Sequence, residues 1–254
     1  MTTEDGVPAA AGAHCSGGKG EFLDLAGPAG ALEACLTLPR GRAPTVAVVL
    51  CHPHPAHGGS MNNKLVVYLA RALRDCGAAT LRFNFRGVGT SAGQYAGGPG
   101  EVADAAAAID ALAGRFPDLP LWVAGFSFGA YAGLRAAATD SRVRRLIAVA
   151  PPVALRERID GRRGYDFSFL EGERRPLMVV QGGADQIVDP EAVRRLRTRM
   201  ERAPEWVWED GADHFFSDRV REVSARVAER LFAGAVDADG QYRGAADCNT
   251  TRSL

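Results

Sequence analysis

The run Val46-Ala47-Val48-Val49-Leu50 is apolar at every position. A strand with one wet face alternates apolar and polar residues, so an unbroken apolar run implies burial on both faces, as in the interior of a parallel sheet. Further runs that suit buried strands are Glu21–Ala26, Ala31–Leu38, Ala78–Phe83, Leu121–Phe126, Val143–Ala150, Pro176–Gln181 and Trp206–Glu209. With Thr45–Cys51 they make about eight strands. Helical spacing fills the intervals. Asn62–Cys76 places Leu65, Leu69, Ala72 and Leu73 on one face, and Glu101–Ala113, Ala130–Ala138, Pro190–Met200 and Asp218–Phe232 also read as helices. Strands alternating with helices predict an α/β fold, with a mostly parallel central sheet, right-handed crossovers and helices on both faces. The first two strands have no helix between them and predict an antiparallel edge hairpin around Gly27-Pro28-Ala29-Gly30.

The chain has 254 residues, enough for one well-buried domain. That domain is expected over 21–233. Residues 1–20 and 234–254 are Ala- and Gly-rich without periodicity and are expected to be a flexible leader and tail. Lys+Arg and Asp+Glu are both 30. With no positive excess there is little pull toward phosphate backbones or anionic lipid, so neither nucleic acid nor a membrane surface is an expected partner. No apolar stretch approaches the ~20 residues of a membrane span. Five cysteines, an odd number with no Cys-x-x-Cys pair, argue against a disulfide framework or structural zinc and for a reducing cytoplasm. The N-terminus lacks a basic segment followed by an apolar run, so no secretory signal is expected.

Gly125-Phe126-Ser127-Phe128-Gly129 follows a strand-like run and precedes an Ala-rich helix. This is G-x-S-x-G in the setting of a nucleophile elbow: a strained turn exposes the serine, and flanking glycines allow close backbone approach. A plain Gly/Ser turn with Ser127 as N-cap would show the same five residues, so context decides. A serine nucleophile needs a base, and the chain order for this elbow is Ser, then Asp or Glu, then His. Of five histidines only His214 follows Ser127, in a loop between the last strand and the last helix. Asp185, in the turn after Pro176–Gln181, is the candidate to orient it. Asp189 reads better as an N-cap before Pro190, and Asp213 is too close in sequence to His214 to orient its ring easily.

A developing oxyanion requires N–H donors. One is expected from Phe128, after the nucleophile, and one from the loop His52-Pro53-His54-Pro55-Ala56-His57-Gly58-Gly59-Ser60. Prolines carry no N–H, which leaves His54 as the best-placed amide. Three histidines in six residues also raise a metal site, but such ligands usually need carboxylate or further histidine support, so no metal and no cofactor are expected. Gly87-Val88-Gly89 lacks the third glycine of a dinucleotide fingerprint. A segment over about 152–175, with Tyr165, Phe167 and Phe169, is expected to cap the site. Phe126, Phe167, Phe169 and Phe215 are candidates for an apolar pocket. Arg86 and Arg162-Arg163 are candidates for a carboxylate clamp.

His52-Pro53-His54-Pro55, Gly58-Gly59-Ser60-Met61-Asn62-Asn63-Lys64, Arg82-Phe83-Asn84-Phe85-Arg86-Gly87-Val88-Gly89, Gly125–Ala130 and Ala150-Pro151-Pro152 together resemble a bacterial family of small α/β-hydrolases, related to dienelactone hydrolases and carboxylesterases. The resemblance covers roughly Phe22 to Phe232. It implies the α/β-hydrolase fold, Ser127, Asp185 and His214 as a triad, and His54 and Phe128 as oxyanion donors. The expected chemistry is cleavage of an ester or thioester of a small, partly apolar acyl substrate. An acyltransferase or cyclase on the same triad is the alternative, and a non-catalytic binding protein on this scaffold a third reading.

Overall fold

The computed structural model describes residues 20–233. The expected leader and tail therefore lie outside the described residues, apart from position 20. Eight strands form one sheet: β1 (Glu21–Gly27), β2 (Gly30–Thr37), β3 (Val46–Cys51), β4 (Ala78–Phe83), β5 (Leu121–Phe126), β6 (Val143–Val149), β7 (Leu177–Gly182) and β8 (Glu205–Glu209). Their spatial order is β1-β2-β4-β3-β5-β6-β7-β8. The β1–β2 hairpin is antiparallel, with Gly27 opposite Gly30, and β2 runs antiparallel to β4. All remaining pairs are parallel.

The unbroken run in β3 is buried at every position, and its side chains divide by period two. Val46, Val48 and Leu50 pack with α1 (Lys64–Asp75) and α5 (Val220–Ala233). Ala47, Val49 and Cys51 pack with α2 (Pro99–Arg115), α3 (Phe128–Ala137) and α4 (Pro190–Thr198). Two apolar layers thus flank the sheet, and both faces need an apolar strand. At about 1.5–3 kcal/mol for each buried Val or Leu, these layers dominate the folding free energy.

Helix starts differ from expectation by a few residues for local reasons. α2 begins at Pro99, because Pro suits the first helical position and the Glu101 carboxylate accepts from the Gly98 N–H at 2.7 Å. α3 begins at Phe128, directly after Ser127. Asp189 caps α4 as expected, accepting from the Glu191 N–H at 3.1 Å. Among the described residues no helix is long and apolar enough to cross a membrane.

The cysteines require a correction. Cys35 and Cys76 each take part in a disulfide, not with one another. An odd count excludes only complete pairing, and pairing depends on which sulfurs meet in space rather than on sequence spacing. Cys51 is a free, buried thiol whose pKa burial pushes up.

The loop after β3 is tied to the sheet by residues of β4 and its end. Arg82 donates to the Met61 carbonyl at 2.6 Å, and the Asn84 side chain accepts from the Met61 N–H at 2.7 Å. His52 is fully buried. The Phe85 N–H donates to its Nε2 at 3.0 Å, so Nδ1 carries the ring proton and donates to the Pro53 carbonyl at 2.7 Å. Protonating Nε2 would set it against an amide N–H. Burial, opposed by the Pro53 contact and reinforced by His54, lowers the His52 pKa to about 4. The unfolded chain, with a histidine pKa near ~6.5, binds the extra proton more readily. His52's stabilisation is therefore complete above about pH 6.5 and lost as pH falls toward 4, a change of about 3 kcal/mol. Urea unfolding at pH 7.5 and 4.5 should show this acid loss, and His52→Asn should flatten the profile. An unchanged slope in that variant would contradict the assignment.

Candidate active site

Because β3 and β5–β8 are parallel, their carboxyl ends share one edge of the sheet, where crevices form in open α/β folds. β5 ends at Phe126 and Ser127 follows with φ 52° and ψ −119°, a conformation a non-glycine residue avoids at a cost of about 1–3 kcal/mol. The turn is fixed from both sides. The Ser127 N–H continues the ladder to the Val149 carbonyl at 2.8 Å, and the Ala130 N–H donates to the Ser127 carbonyl at 2.8 Å. The glycines are steric requirements. A Cβ on Gly125 would lie 2.2 Å from the Gly129 carbonyl oxygen, and one on Gly129 would lie 2.3 Å from the Cys51 oxygen.

His214 stands in the loop after β8 and Asp185 in the loop after β7. The two loops are joined by the Ala184 N–H donating to the Ala212 carbonyl at 3.0 Å. His214 Nε2 is 3.0 Å from Ser127 Oγ, and His214 Nδ1 is 2.8 Å from Asp185 Oδ2. Asp185 accepts four hydrogen bonds. Oδ1 takes the Ile187 and Val188 N–H groups, both at 2.8 Å, and Oδ2 takes His214 and the Gln181 amide at 3.0 Å. Burial alone would raise the Asp185 pKa, but the His214 bond and the two amides outweigh it and hold the carboxyl below its ordinary value. An ionised Asp185 only accepts, so the proton stays on Nδ1 and Nε2 keeps a lone pair toward the serine hydroxyl. Asp213 has a different job. It accepts from the Phe215 and Ser217 N–H groups at 3.1 and 2.9 Å and shapes the loop that carries His214.

The β3 loop faces this arrangement from the other side. The His57 and Gly59 N–H groups both donate to the His54 carbonyl, at 3.1 and 3.0 Å. The His54 ring lies 4.9 Å from the Phe128 ring. Among the described residues, the N–H groups of His54 and Phe128 are donated to no other group. Phe128 also opens α3, where first-turn amides have no helical acceptor and the dipole favours negative charge.

The candidate pocket residues separate. Phe126 is buried with its ring 5.2 Å from His214, and Phe215 is exposed with its ring 5.1 Å from His214. Phe167 and Phe169 stack on each other at 5.7 Å, and Phe167 reaches Phe128 only through Tyr131. They pack along α3, against Tyr131 and Arg135, and make no ring contact with His214. Arg86 is a further correction. It forms a two-point ion pair with the buried Asp104, at 2.9 and 2.7 Å, and is committed to structure. Arg162 donates to the Gly97 carbonyl at 3.0 Å and lies over the Tyr165 ring.

Sequence reasoning missed Tyr95, whose hydroxyl is 3.0 Å from His54 Nε2, and Gln186, whose side chain accepts from the His214 N–H at 3.2 Å. It also missed Asp160, which reaches His54 at 3.1 Å and His57 at 3.6 Å. Only the turn dipeptide Asp160-Gly161 hinted at the last.

A family model described as serine aminopeptidase, S33, matches residues 42–171. An uncharacterised protein of Rickettsia prowazekii is 36% identical over 211 residues, which is 81% of this chain and 86% of the relative. An α/β serine hydrolase without lid from Xanthomonas campestris superposes with a TM-score of 0.71 at 38% identity, over 84% of this chain and 94% of that one. An α/β serine hydrolase homologue from Coxiella burnetii gives 0.72 at 39% identity, over 85% and 99%.

Proposed function

Since the chain belongs to the serine aminopeptidase S33 family of α/β serine hydrolases, we propose that it hydrolyses a carboxylic ester or thioester of a small, partly apolar acyl group through an acyl-enzyme on Ser127. The observation that carries this reading is the continuous path from Ser127 Oγ to His214 Nε2 at 3.0 Å and from His214 Nδ1 to Asp185 at 2.8 Å. Ser127 Oγ attacks the acyl carbonyl while His214 Nε2 takes its proton. The carbonyl oxygen becomes an oxyanion, met by the N–H groups of His54 and Phe128. Collapse of this intermediate breaks the bond to the alcohol or thiol, which leaves with the proton from His214. Water then attacks the acyl-enzyme while His214 takes its proton, and collapse of the second intermediate breaks the bond to Ser127 Oγ, which recovers the proton from His214 as the acid is released. Asp185 holds the tautomer and stabilises the imidazolium formed in each half-reaction. The exposed Phe215 and the buried Phe126, both against His214, support an apolar acyl side.

A panel of aryl esters, thioesters, lactones and aminoacyl amides tests the assignment, with Ser127→Ala as control. Wild type should release product from short-acyl esters or thioesters and the variant should not. Equal rates would overturn the reading, and cleavage of amides alone would move the enzyme to the peptidases.

A further inference from the structure

We propose that His54, His57 and Asp160 bind one divalent transition-metal ion of the zinc class, at the junction between the β3 loop and the 152–175 segment. The three residues lie apart in sequence, but two local structures deliver them. Pro55–His57 forms a 3₁₀ turn, in which positions three apart eclipse, so His54 and His57 face the same way, with rings 4.7 Å apart. Opposite them, Ile159-Asp160-Gly161-Arg162 forms a hairpin tip with reciprocal backbone bonds of 3.0 and 2.9 Å between Ile159 and Arg162. Asp160 has φ 50° and Gly161 φ 75°, the pair of positive values that a type I′ turn requires and that Asp-Gly adopts readily. The Arg162 bond to the Gly97 carbonyl pins this tip against the neighbouring loop. The carboxylate is therefore presented on a defined turn.

The distances fit an ion. His54 Nε2 is 3.1 Å from Asp160 Oδ2, and His57 Nε2 is 3.6 Å from Asp160 Oδ1. One ligand atom from each residue falls within 4.8 Å of the others. Tetrahedral zinc with bonds of about 2.0–2.2 Å separates its ligand atoms by roughly 3.3–3.5 Å, so small ring rotations close the set. Two imidazoles and a carboxylate suit zinc, cobalt or nickel rather than calcium or magnesium. The Tyr95 hydroxyl, 3.0 Å from His54 Nε2, stands by as a further oxygen. His54 is nearly buried whereas His57 is half exposed, which gives an ion a route in and leaves room for a water or an anionic ligand. Without metal, the exposed His57–Asp160 pair is a weak arrangement worth about 0–1 kcal/mol.

The site stands apart from the hydrolytic reading, in which His54 contributes its main-chain N–H and not its ring. The test uses the full chain, stripped with chelator and titrated with Co2+ by visible absorption and with Zn2+ by calorimetry. One equivalent should bind, with the bands of a four- or five-coordinate cobalt ion. His57→Ala and Asp160→Ala should each weaken binding by about tenfold or more, with the fold unchanged by circular dichroism. Lack of stoichiometric uptake, or uptake that survives in the double variant, would overturn the site. Stripped protein that cleaves esters yet takes up no metal would overturn this proposal alone. Metal uptake without turnover would overturn only the hydrolytic reading.

Discussion

Replacing Ser127 with Ala is expected to reduce turnover by on the order of 10⁴-fold or more, equivalent to about 5 kcal/mol of lost transition-state stabilisation. Among the described residues no other hydroxyl or thiol is hydrogen-bonded to His214 Nε2, which is directed at Ser127 Oγ at 3.0 Å. The fold should be unaffected, because alanine keeps the Cβ and meets the same backbone at φ 52°. Ser127→Gly separates the two properties. Glycine relieves the left-handed strain, so this variant should be more stable than Ser127→Ala by about 1 kcal/mol and equally inactive. Chemical denaturation together with ester turnover measures both. A strained position that gains stability when it loses activity is the signature of a residue held for chemistry rather than for packing.

Asp185→Asn should be almost as costly, with kcat lower by roughly 10³–10⁴ and KM within about threefold. The reason lies in the four donors that converge on this side chain. If the asparagine oxygen accepts from the Ile187 and Val188 amides, as Oδ1 does now, its NH2 group faces His214 Nδ1. That favours a lone pair on Nδ1 and a proton on Nε2, which then cannot accept from Ser127. If the amide flips, its NH2 meets two backbone N–H groups in a buried place, at a cost of about 2 kcal/mol. Steady-state kinetics and urea unfolding distinguish this from a mere packing defect, which would change stability without abolishing kcat.

The parts legible in the sequence were those with local causes. Apolar runs gave the sheet because a two-sided parallel strand has no polar positions, and Val46–Leu50 is such a run. Ser127, Asp185 and His214 were placed on strand-end loops by chain order, and parallel strands bring those loops to one edge. Asp189 was recognisable as a cap from Pro190 beside it. What stayed hidden was contact between distant positions. The Asp104 that occupies Arg86, and the Asp160 that faces the β3 histidines, are ordinary surface-type residues until the chain folds back. The expectation of no metal rested on a missing carboxylate, and the hairpin tip brings one more than a hundred residues along the chain. That Phe167 and Phe169 pack against Tyr131 and Arg135 was hidden for a related reason: a loop has no periodicity from which to read its facing side.

Covalent trapping tests the central claim most directly. Treating the full chain with a serine-reactive fluorophosphonate and mapping the adduct by peptide mass spectrometry should show one modification, on Ser127. Its rate should collapse in Asp185→Asn, because the attacking hydroxyl depends on the His214 lone pair. An adduct on another residue, or failure to label in wild-type protein that still turns over esters, would contradict the assignment of Ser127 as the nucleophile.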